Sequence, residues 1–70
     1  MTLKDAALGT EYKIKEIRTG DEELNAFLFT LGCYEDMPIT VVGKKRATMV
    51  VSIKDARYTI DNNLAESILI

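Results

Sequence analysis

One segment, Gly20–Gly32, has the length and periodicity of a real helix, and its isolation constrains the fold most. Leu24, Phe27, Leu28 and Leu31 recur at i, i+3, i+4 and i+7, which makes one apolar stripe. Asp21, Glu22 and Glu23 place negative charge where the helix dipole favours it. Thr19 and Glu22 have capping-box spacing, with Asp21 as a rival N-cap. Gly32 follows the last stripe residue, where a C′ glycine is favoured. The rest of the chain reads as short strands and turns. A lone amphipathic helix must bury its stripe against something, and a sheet is the partner on offer.

The flanking segments supply that sheet. Thr2–Leu8 predicts one helical turn, with Thr2 and Asp5 at capping-box spacing and Gly9 ending it, as a plug over one end of the core. Glu11–Arg18 predicts a first strand in which Tyr12 and Ile14 face inward, with a bulge at Glu16 returning Ile17 to the core. Met37–Gly43 predicts a second strand with Met37, Ile39 and Val41 on one face and Pro38 tolerated near its start. After the reversal Gly43–Ala47, Thr48–Ile53 predicts a third strand carrying Met49, Val51 and Ile53 on one face. The short link Lys54–Asp55–Ala56 forces a hairpin to a fourth strand, Arg57–Ile60, with Tyr58 and Ile60 inward. Asn62 or Asn63 is placed to cap a turn over Leu64–Ser67, and Ile68–Ile70 reads as a closing strand. The expected core is Ile14, Leu24, Leu28, Leu31, Ile39, Val41, Val51, Ile53 and Ile60. Five short strands with tight turns predict a small barrel, because closure protects the sheet edges.

Seventy residues make one domain, 1–70, that hides only about 60% of its unfolded surface. Apolar residues are 47% of the chain, too many for a disordered one. A net charge of −2 argues against gripping nucleic acid through its phosphates. A single cysteine allows no internal disulfide, which points away from small secreted domains. There is no signal-type apolar region, and no apolar run near the roughly 18 residues that a span needs. The expectation is a cytoplasmic soluble domain without a membrane span.

Here the residues resemble a known family. The order is a turn ending in Gly9, Tyr12-x-Ile14-x-x-Ile17, a helix ending Leu28-Phe29-Thr30-Leu31-Gly32, Ile39-x-Val41, Tyr58-x-Ile60 and Ala65-x-x-Ile68-x-Ile70. This is similar to the ferrous iron transport protein A (FeoA) family over the whole chain. Glu35–Asp36 stand where the family often has a Pro-Gly turn, and Phe27 where it often has a basic residue. The resemblance implies a small SH3-like β-barrel of about five strands with one α-helix between the first two. It also implies a cytoplasmic accessory role beside FeoB, a membrane ferrous-iron transporter with a GTP-binding domain. Similar SH3-like domains end iron-dependent repressors, so a metal- or ligand-sensing module is the alternative.

The chemistry of the chain points to binding. It contains no histidine, the commonest general base and transition-metal ligand. Cys33 therefore has no histidine to activate it, and the isolated glycines form no phosphate-cradling loop. No enzyme activity and no cofactor are expected. Cys33, Glu35 and Asp36, or Asp21–Glu23, are candidate iron ligands, but capping and turn chemistry explain the acids and no recognised ligand set results. No specific metal site is expected. Cys33 reads as a small semi-buried apolar residue beside the helix end.

Two surfaces remain as partner sites. Phe27 and Phe29 cannot both sit in the middle of one stripe, so with Tyr34 they offer surplus aromatic area. The expected surface is Phe27, Phe29, Cys33 and Tyr34, rimmed by Glu35 and Asp36. The basic reversal Lys44, Lys45 and Arg46 is the second, fit for an acidic protein surface or anionic headgroups at about 1 kcal/mol per charge. The expected partner is the cytoplasmic part of FeoB.

Overall fold

The computed structural model describes all residues, Met1–Ile70. A 3-10 turn, Leu3–Asp5, is followed by β1 (Glu11–Lys13), β2 (Glu16–Ile17) and the helix α1 (Glu22–Thr30). Then come β3 (Pro38–Lys44), β4 (Thr48–Ile53), β5 (Ala56–Asp61), the short helix α2 (Asn62–Glu66) and β6 (Ile68–Leu69). The protein is mainly β. Its six strands form two antiparallel sheets, one of four strands in the order β1-β3-β4-β5 and one pairing β2 with β6.

The expected five strands become six because the first strand is two. At Ile14 the chain still donates its N–H to Met37 O (3.0 Å), and at Lys15 it donates to Leu69 O (2.7 Å). The segment changes sheet between these neighbours, where the sequence had suggested a bulge at Glu16. Ile14 is buried in the core at this crossing. The bulge lies elsewhere. Val41 pairs with Val51 and Gly43 with Val50, so Val42 is the extra residue in β3, turned outward and exposed.

The β4–β5 hairpin is as tight as the short link requires. Ile53 pairs with Ala56, leaving Lys54 and Asp55 as the two loop residues, both at positive φ (50° and 66°). Mirror-image hairpin turns need that conformation and usually place Asn-Gly there.

The core holds Leu3, Ala6, Ile14, Leu28, Cys33, Ile39, Val41, Met49, Val51, Ile53, Ile60, Ala65, Ile68 and Ile70. The N-terminal turn acts as the expected plug, with Leu3 and Ala6 sealed and the Ala7 N–H donating to the Tyr12 hydroxyl. Both chain ends meet there. Thr2 bridges Leu69, the Ile70 N–H donates to Met1 O, and Lys4 pairs with Glu66 at 2.9 Å. Asp61, rather than Asn62 or Asn63, caps α2, accepting from the Leu64 N–H at 2.7 Å.

Two expected core members of α1 are corrected. Leu28 is sealed, but Leu24 and Leu31 are only half-buried. The helix rests on one fully buried residue and is packed lightly against the strands. No helix is long and apolar enough to cross a membrane.

Candidate functional site

Both ends of α1 are built by local chemistry. Asp21 is the N-cap, its carboxylate accepting from the Glu23 and Leu24 N–H groups at 2.9 and 3.3 Å. Thr19 takes a different role, with its hydroxyl accepting from the Asp21 N–H and bonding to the Asn25 side-chain oxygen. At the C-terminal end, the Gly32 N–H reaches Phe29 O and the Cys33 N–H reaches Leu28 O. This pair of bonds is a Schellman motif, and Gly32 adopts the left-handed conformation it needs (φ +89°). A Cβ on Gly32 would lie 3.1–3.2 Å from the Lys54 stem and Ile53.

That helix end determines what the next residues do. Cys33 is turned into the core beside Leu28, the apolar contact that accompanies this motif. Its burial pushes the thiol from 9.0 to about 11, so it stays protonated at neutral pH and is a poor nucleophile or metal ligand. Tyr34 emerges from the core and stacks on Phe29, with ring centroids 4.7 Å apart and planes inclined by 30°. Lys54 Nζ lies 5.5 Å over the Tyr34 ring, within cation–π range. Glu35 and Asp36 complete the turn, closed by the Met37 N–H on Tyr34 O. Asp36 has φ +69°, the position that glycine fills best.

The result is an open groove of about 350 Å³ lined by Ile17, Asn25, Phe29, Cys33, Tyr34 and Glu35. Phe29 is 62% exposed, Tyr34 is half-buried and Cys33 forms the floor. Phe27 is 54% exposed but does not line this groove. Ile17 was expected in the core and is only half-buried, and Asn25 and Lys54 were not singled out from the sequence. The i, i+4 spacing of Asn25 and Phe29 is the signal that places them on one face.

The basic reversal is divided. Lys44 donates to the Lys4 backbone oxygen at 3.2 Å, and Arg46 uses its own backbone oxygen to accept from the Asn62 side chain. Lys45 and the Arg46 side chain are exposed. None of the three lines the aromatic groove. No three Cys, Asp or Glu side chains come close enough together to hold a metal ion.

The FeoA domain family model matches residues 1–70. The chain belongs to the FeoA domain family. It is also similar to a crystal structure of an iron uptake regulatory protein (FeoA), with a TM-score of 0.85 at 19% identity. That match covers 97% of this chain and 91% of the other. A manganese-dependent transcriptional repressor matches with a TM-score of 0.85 at 17% identity, over 97% of this chain and 39% of that one. At such identities the two likenesses show a shared fold. No curated protein matches the chain. In this FeoA-family chain, the groove beside Phe29 combines an exposed ring with a mostly apolar lining.

Proposed function

We propose that residues 1–70 form one SH3-like barrel that acts as a non-catalytic cytoplasmic accessory module. It binds the cytoplasmic part of a FeoB-type ferrous-iron transporter and supports or regulates transport. Closure of the two sheets into a barrel is supported by the continuous chain at Ile14–Lys15, which passes from one sheet to the other. The observation that carries the binding reading is Phe29. It is a large ring left 62% exposed on a soluble-type surface, held in place by Tyr34. Exposed aromatics of fixed orientation are common interface anchors. Family membership supports the choice of partner.

The test is affinity for the transporter's cytoplasmic part. Phe29→Ala is expected to weaken binding about tenfold or more, as truncation of an anchor does. Unchanged affinity, with the variant folded, rejects the surface.

A second reading, a metal- or ligand-sensing module, is raised by the likeness to the manganese-dependent repressor. Anaerobic titration with ferrous iron separates the two. The accessory reading expects no one-to-one site of micromolar affinity (about −8 kcal/mol), and such a site would favour the sensor.

A further inference from the structure

We infer that the groove beside Phe29 takes a positively charged peptide segment, with an apolar side chain laid on the Phe29–Tyr34 pair and flanking lysines or arginines on the acidic rim. This rests on the reading of the aromatic groove as a protein-docking surface and adds the chemistry of what docks. Three observations carry it.

The first is charge. Glu35 is the one charged side chain among the residues lining the groove. Glu22 lies seven positions before Phe29, and that spacing returns it to the same helix face. Asp36 extends the acidic side past Glu35. Three cations stand near the groove: Lys15, exposed two positions before Ile17 and in no ion pair, Arg18, and Lys54, which comes near in space. Arg18, next to Ile17, pairs with Glu16 at 2.8 Å, and Lys54 lies over the Tyr34 ring. An approaching cationic segment meets carboxylates that are free of ion pairs, since neither Glu22 nor Glu35 has a basic partner. Complementary potential of this kind selects partners and speeds their encounter.

The second is hydrogen bonding. The Asn25 side-chain oxygen is bonded to Thr19, which orients the amide. Its NH₂ group makes no hydrogen bond within the protein, and Asn25 lines the groove. A peptide carbonyl is the complementary acceptor. The third is size. A groove of about 350 Å³ lined by Ile17, Phe29 and Tyr34 holds a large apolar side chain and leaves the peptide's charges at the rim.

Two synthetic peptides test the inference on the whole chain. One carries a leucine pair flanked by lysines, and the other has the same leucines flanked by glutamates. Binding is read by amide-shift titration at low and high salt. The lysine peptide is expected to move Asn25, Phe29 and Tyr34, to weaken with salt, and to lose about fivefold in affinity with Glu35→Lys. The glutamate peptide is expected to gain from the same substitution. Equal binding of both peptides in the groove, or preference for the glutamate peptide, overturns the charge inference while leaving the aromatic surface standing. Shifts elsewhere with none in the groove overturn the inference as well. The affinity of Phe29→Ala for the transporter's cytoplasmic part then decides separately whether the docking reading survives. Glu35 is exposed in a turn, so Glu35→Lys leaves the core untouched.

Discussion

At the scale of single residues, Gly32 and Cys33 shape the site. Gly32 ends the helix in a conformation other residues resist, and the chain that leaves it buries Cys33 and returns Tyr34 to Phe29. Burial holds the Cys33 thiol protonated up to about 11, whereas it ionises near 9.0 when free. Between those values the unfolded chain binds fewer protons than the folded one, so stability falls as pH rises through this window. The expected slope is about 1.4 kcal/mol per pH unit. Denaturant melts from pH 8 to 11 should show this extra slope in the natural chain and lack it in Cys33→Ala. Equal slopes would mean that the thiol reaches water in the folded state. The sequence already marked Gly32 as a helix end and Cys33 as a small apolar residue. It did not reveal how completely the cysteine is sealed, because that depends on the Schellman turn and on Leu28 opposite.

At the scale of elements, α1 is an end-capped helix with a weakly held middle. Its start at Asp21 and its stop at Gly32 were legible because caps are local chemistry. Its buried face was less so. The expected core took Leu24, Leu28 and Leu31 from the stripe, yet only Leu28 is sealed, while Phe27, expected at the surface, is mostly exposed. Periodicity gives a direction on the helix and not the width of the surface waiting for it. Leu28→Ala is therefore expected to cost about 2–5 kcal/mol, while Phe27→Ala costs little. Thermal melts check both. A Leu28→Ala variant melting like the parent would show that α1 is not docked through this residue. The first strand shows the same limit. Tyr12 and Ile14 alternate as a strand should, but its division at Lys15 follows from a change of partner, from β3 to β6, and distant pairing leaves no local mark.

At the scale of the molecule, the two sheets share a small core to which both chain ends contribute through Leu3, Ala6, Ala65, Ile68 and Ile70. The expected core named residues of the helix and the longer strands and omitted these, since short terminal segments carry too few positions to display a period. Stability of such a domain is modest, and a ring as exposed as Phe29 on a lightly packed helix is costly for solubility unless a partner covers it. The aromatic and basic surfaces make different predictions for one experiment. Amide-shift mapping of the isotope-labelled chain with the transporter's cytoplasmic part tests the docking surface most directly. The expected result is shifts concentrated at Ile17, Asn25, Phe29, Tyr34 and Glu35. Shifts confined to Lys44–Arg46, with none near Phe29, would contradict it and move the binding site to the basic hairpin.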